Sequence, residues 1–339
     1  MSTLEDVKRS VEEEAVKLAG SSLPVFEKYR MLNLLHDRLC REAVQRAEEW
    51  MVAQGFGAPR EPYCWFELGS GGRGERTIGN DQDHGLMYGD MDVTQPELMH
   101  TSSHQEYFAL FSQRISYELE QAGYPLCSGN VMASNRRWRH DMAEWQQTIL
   151  SWIESQGIDE IRYLLMLSDM RAIYGDRMLC YRLKAWMHRR LYENKKLQHR
   201  FAQHSLLHDI PLGLFRNLRY ERWGEHAGEY DLKEGGYYQL VNTVRILAIA
   251  HHIEATETKE RLSELYRSGV LSVSDYERWL DALACMLNVR LQHHVRLHEE
   301  GKAQHNYIDA RNWGRERLKE WKDILSFLKR QQKRLRQIV

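Results

Sequence analysis

A chain of 339 residues, 42% apolar and 28% charged, is long enough for two or three domains with substantial cores and reads as an ordinary globular protein. Its formal net charge of −1 gives no overall pull towards nucleic acid or acidic membranes, so nucleic acid is not an expected partner and any basic surface must be local. Five scattered cysteines without a C-x-x-C argue against a disulfide framework or structural zinc; with a polar, acidic N-terminus and no apolar run near ~18 residues, they predict a cytoplasmic protein without a membrane span.

Leu4 to Leu18 and Val25 to Val52 carry helical periodicity, with Ser21-Ser22-Leu23-Pro24 as the break, so residues 1–60 are read as an N-terminal helical segment. His36-Asp37 is expected to be a helical surface pair, because adjacent helix positions do not face one another. Tyr63 to Leu68 is a short aromatic run that halts at Gly69-Ser70, and a second run, Gly85 to Tyr88, follows Asp81 and Asp83. That order predicts strand, glycine-rich turn, short helix, strand.

Side chains two apart in extended backbone point to one side, so Asp81 and Asp83 converge there, whereas on a helix they would diverge. Paired carboxylates beside a Gly-Ser turn suit Mg²⁺ or Mn²⁺ shared with substrate phosphates. Gly69 and Gly71 admit a close phosphate approach, helped by the N-terminus of a following helix. Arg73 and Arg76 add positive charge, with Glu75 placed to orient one of them. Gly69-x-Gly71-x-x-Gly74 also matches a dinucleotide fingerprint, but Thr77 to Asp83 ends the helix too early for it. Asp90 and Asp92, a second acidic pair, read as a solvated turn.

The segment GSGGRGERTIGNDQDHGLMY, Gly69 to Tyr88, resembles the nucleotidyltransferase signature of the polymerase β superfamily. More narrowly, it is similar to a family of nucleotidyltransferases related to the bacterial uridylyltransferase of nitrogen signalling. Members are often fused to CBS and cyclic-nucleotide-binding domains, neither of which is read in this sequence. Gly123 to Trp152 and Gly228 to Ile253 carry the same resemblance, which spans residues 60–310. It implies an α+β fold: a small mixed-sheet catalytic core, residues 61–175, between the N-terminal helical hairpin and an all-helical domain, residues 176–339.

The resemblance also implies a metal-dependent transfer of a nucleoside monophosphate from a triphosphate to a protein or small-molecule hydroxyl. Asp81 and Asp83 would be the catalytic metal ligands, and Gly69, Ser70, Gly71, Arg73 and Glu75 the nucleotide-binding turn. A catalytically weak or inactive nucleotide-binding regulatory module is the alternative. In the superfamily a third carboxylate stands on a later strand. By resemblance its place falls near PLCSGNVMA, where this chain offers Cys127 and no acid, leaving Asp169 as the nearest substitute.

Further on, Ser103 to Ala122 is predicted helical, Tyr124 to Ala133 an irregular strand, and Ser134-Asn135 the cap of a long helix. Along it Trp138, Trp145 and Trp152 recur every seven residues as a packing stripe, while Arg136, Arg137 and Arg139, near the helix start, could contact phosphate but are expected on a solvated face. Leu164 to Tyr174 reads as helix, Asp176 to His204 as another, and everything beyond as mainly helical, ending with Trp313 to Ile338. Lys233, before paired glycines as in the nitrogen-signalling transferases, is the candidate lysine for the triphosphate, with Arg245 as a second cation. His204, His208 and Asp209, and His293, His294 and His298, have partial metal-ligand spacing, but are expected to be structural or surface residues.

Overall fold

The computed structural model describes residues 4–89, 102–205, 210–213 and 216–338. Asp90, Asp92, His208 and Asp209 lie outside them. The chain forms two compact units, Met1–Ser155 with Met166–Met187, and Gln156–Leu165 with His188–Val339.

The first unit is built on a mixed four-stranded sheet of β1 (Tyr63–Glu67), β2 (His84–Tyr88), β3 (Arg139–Asp141) and β4 (Arg171–Gly175), in the order β3-β2-β1-β4. β1 runs antiparallel to both β2 and β4, and β2 runs parallel to β3. The end of β1 and the starts of β2 and β4 therefore meet at one edge, with Glu67 opposite both His84 and Arg171.

Alternation along β1 supplies two cores. Tyr63 and Trp65 face α1 (Leu4–Gly20), α2 (Val25–Ala53) and α4 (Ser102–Gln121), which bury Leu39, Ala43, Ala47, Phe111 and Ile115 against them. Phe66, on the opposite face, meets Trp145 with ring centroids 6.0 Å apart, and Trp138 and Trp152 complete that cluster. The tryptophan repeat is thus core, and Trp145 also donates its indole N–H to the Leu86 carbonyl at 3.2 Å.

Several local expectations are corrected. Ser134-Asn135 does not start a long helix: Asn135 caps a single turn of 3₁₀ helix, Arg136–Trp138, β3 follows, and only then α5 (Met142–Ser155). The later turn of chain that reads as helix to Tyr174 instead leaves α6 (Ile158–Leu167) and enters β4, where pairing with β1 outweighs local propensity. Tyr124 to Ala133 is not an assigned strand, although Gln82 N–H donates to Pro125 O and His84 N–H to Val131 O, both at 3.0 Å. His36 and Asp37 are buried, not on the surface, each turned to its own partner: His36 to Tyr124 and Asp37 to Arg171.

The second unit contains α8 (Lys195–Ser205), α9 (Tyr238–Ala250), α10 (Thr258–Arg267), α11 (Val273–Glu299) and α12 (Arg315–Ile338), with a two-residue β5–β6 pair, Tyr230–Asp231 and Tyr307–Ile308. The single helix expected over Asp176 to His204 is two, α7 (Arg177–Glu193) and α8, because Asn194 caps the second through Leu197 N–H. No helix of the described residues is long and apolar enough to cross a membrane.

Burial of His36 makes stability pH-dependent. Burial, then the nearby Arg76 guanidinium, lowers its pKa to about 3, so below the ordinary value of 6.5 the unfolded chain binds a proton that the folded one refuses. Its contribution is fully present above pH 6.5 and is lost as pH falls towards 3. Unfolding free energy measured from pH 7 to 4.5 should decline less steeply in His36→Gln than in the parent. The difference in slope approaches about 1.4 kcal/mol per pH unit at most. Equal slopes would refute the assignment.

Candidate active site

Asp81 and Asp83 lie in extended backbone just before β2. Both are half-buried, while Gln82 and His84 between and after them are buried on the other side. Gln82 donates through its amide to the carbonyls of Ser116 at 3.0 Å and Tyr124 at 2.9 Å, and its amide oxygen accepts from His84 Nε2 at 3.1 Å. His84 Nδ1 in turn accepts from Ala133 N–H at 3.2 Å, an arrangement that requires a neutral ring. Burial, then Arg76, lowers the His84 pKa to about 3 and keeps it neutral. This buried pair aligns the two aspartates and lays the 124–133 segment beside them.

The consequence is a three-donor cluster. A carboxylate oxygen of Asp81, one of Asp83 and Cys127 Sγ all lie within 4.8 Å of one another. Burial, then Asp83, pushes the Cys127 thiol up to about 12. Two carboxylates held this close repel each other unless a cation joins them, and their hard oxygens fit a divalent ion such as Mg²⁺ or Mn²⁺. Cys127 occupies the neighbourhood where the superfamily's third acid was expected. The acid that the later strand β3 does carry, Asp141, is instead a helix cap, accepting Glu144 N–H at 2.8 Å.

Opposite the aspartates stands the glycine turn. Leu68 N–H donates to the Asp83 carbonyl at 2.9 Å, and the chain then coils into α3 (Gly69–Gly72). Gly69 has φ +54°, and a Cβ there would sit 2.6 Å from Asp83 Oδ2, so only glycine brings the turn this close to the carboxylate. Ser70 is half-buried at the same edge, and Gly71 packs on Glu67 and Arg76. Thus Gly69, Ser70, Asp81 and Asp83 share one end of the sheet.

Arg73 and Glu75 are placed differently. Arg73 is buried and donates from Nε to Glu75 at 2.7 Å and from Nη1 to Asp169 at 2.6 Å. Asp169 is therefore a partner of Arg73 and stands outside the aspartate–cysteine group, which corrects its candidacy as third metal ligand. Arg76 is also buried and pairs with Glu67; burial disfavours its charge, but that carboxylate outweighs the effect and raises its pKa.

Sequence reasoning missed Arg171. From the start of β4 it makes a two-pronged pair with Asp37 of α2 at 2.7 and 2.8 Å. It also donates to the carbonyls of Gly71 at 2.7 Å and Gly72 at 3.0 Å, and reaches Glu67 at 3.3 Å. The glycine turn is clamped from behind by this one guanidinium. Arginine's rigid fork, with five donors, permits that where lysine would not.

Lys233 belongs to the second unit. It is exposed at the start of a π-helical turn, Lys233–Tyr237, whose first N–H groups are capped by Asp231 at 2.8 and 3.0 Å. Arg245 is buried within α9 and donates to Asn242 at 3.0 Å. His204, His293 and His294 are buried and His298 is half-buried; among the described residues none belongs to a three-donor group.

Two family profiles match the chain. Residues 9–159 match the family described as Putative nucleotidyltransferase DUF294, and residues 195–339 match its companion, described as Putative nucleotidyltransferase substrate binding domain. The two matches together cover most of the chain, which belongs to the family so described; that membership supports nucleotidyl transfer as the general function and implies a nucleoside triphosphate substrate. No curated protein matches the sequence significantly.

Proposed function

We propose that the protein moves a nucleoside monophosphate from a triphosphate to a hydroxyl group of a protein or small molecule and releases pyrophosphate. The observation that carries this reading is the grouping of Asp81 with Asp83 and the closeness of Asp83 to Gly69, in a chain that matches the Putative nucleotidyltransferase DUF294 family. Asp81 and Asp83 would hold Mg²⁺ or Mn²⁺, which when bound supplies positive charge against the phosphates. Gly69, Ser70 and Gly71 offer backbone N–H groups and one hydroxyl to the β- and γ-phosphates. Arg73 and Glu75, paired in the interior, keep the turn in shape, and Lys233, exposed in the segment that matches the companion domain, is proposed as a nucleotide-binding residue.

In the reaction the acceptor oxygen attacks the α-phosphorus. An O–P bond forms, the bond from that phosphorus to the bridging oxygen breaks, pyrophosphate carries away the electron pair, and the hydroxyl proton is released to solvent. A protein tyrosine is the acceptor class suggested by the nitrogen-signalling resemblance. The presence of Cys127 instead of a third carboxylate favours a second reading, a regulatory module that binds nucleotide without efficient transfer.

Incubation with each α-³²P triphosphate, divalent metal and host lysate is expected to yield a labelled acceptor, abolished by EDTA. The matching γ-³²P triphosphate should give none. Nucleotide binding without α-label transfer or pyrophosphate release would replace the first reading with the second.

A further inference from the structure

An ion held by Asp81 and Asp83 would have a sulfur close by. Cys127 Sγ lies with the Asp81 and Asp83 oxygens inside a 4.8 Å group, on a segment fixed to the aspartate strand by Gln82 N–H to Pro125 O and His84 N–H to Val131 O. These bonds flank the cysteine on both sides in sequence, so its place beside Asp83 follows from backbone pairing.

Mg²⁺ takes oxygen ligands almost exclusively, whereas thiolates favour softer transition-series ions. Carboxylates remain acceptable to Mn²⁺ and Zn²⁺ alike. A mixed set of two oxygens and one sulfur therefore discriminates against Mg²⁺.

We infer that Cys127 is the third metal donor of this site and sets its selectivity, making it a centre for Mn²⁺ or Zn²⁺ in preference to Mg²⁺. The inference rests on the assignment of Asp81 and Asp83 as metal ligands made above. A thiol at this place, where a third acid would make the site generic for hard ions, is a specificity device. It joins the choice of ion to the redox state of one side chain, since an oxidised sulfur no longer donates as a thiolate.

The full chain titrated with Cd²⁺, a thiophilic probe, should develop ultraviolet sulfur-to-metal charge-transfer absorption at one equivalent. Cys127→Ser, checked for an unchanged melting curve, should abolish it. In calorimetric titrations the parent should bind Mn²⁺ at least about tenfold more tightly than Mg²⁺, and Cys127→Asp should reduce that ratio by about tenfold. Absorption that persists in Cys127→Ser, or a Mn²⁺ to Mg²⁺ ratio unmoved in Cys127→Asp, would overturn the inference. If metal binding is lost in Asp81→Asn/Asp83→Asn but indifferent to Cys127, the thiol role falls and the aspartate site stands. Binding that survives the double aspartate change removes both.

Discussion

Replacing Asp81 and Asp83 together by asparagine is expected to lower nucleotidyl transfer by about a thousandfold or more while leaving the fold intact. Electrostatic preorganisation is where phosphoryl-type chemistry gains most, and loss of even one well-placed donor in such sites costs about 10²–10³ in rate. Asparagine keeps the size of each side chain and removes the charge that would hold a divalent ion. Stability should not suffer, because both residues are half-buried, their neighbours Gln82 and His84 carry the structural bonds, and two close carboxylates repel each other. Transfer of α-label and a thermal melt on the same preparation separate the two effects. Undiminished transfer from a folded double variant would remove the aspartates from the chemistry.

The opposite pattern is expected of Arg73→Met. Its guanidinium is buried between Glu75 at 2.7 Å and Asp169 at 2.6 Å, with Asp169 fully enclosed. Deleting one partner of a buried ion group strands charge in a poor solvent and costs about 3–5 kcal/mol, far more than an exposed pair. Urea unfolding should show that loss. The variant carrying Arg73→Met, Glu75→Gln and Asp169→Asn should recover much of it, because the two carboxylates that face this guanidinium are neutralised with its removal. A loss below about 1 kcal/mol for Arg73→Met alone, within the range of exposed pairs, would indicate that the triad is hydrated and structurally dispensable.

How much of this was legible beforehand follows from how local each signal is. The strand ending at Gly69-Ser70 and the Asp81-x-Asp83 spacing are written in contiguous residues, and the mixed sheet with flanking helices agrees with them. The long helices α11 and α12 also announce themselves by period. By contrast β3 is three polar residues, Arg-His-Asp, with no strand signature. β4 follows an apolar stretch that reads as helix, so only pairing with β1 defines it. The His36-Asp37 pair looks like surface because nothing nearby in sequence shows that two different elements cover it. Arg171 is the extreme case: its bonds to Asp37 span 134 positions, and no window of sequence contains both ends.

That arginine has a further consequence. With α2, β1, β4 and two carbonyls of the glycine turn tied to a single planar group, the turn takes its shape when the unit folds. Conformational entropy that a slack loop would surrender at each encounter with a ligand is surrendered once, during folding. An incoming polyphosphate would meet a rigid edge, and what it gains in contact would go to affinity instead of to ordering the protein.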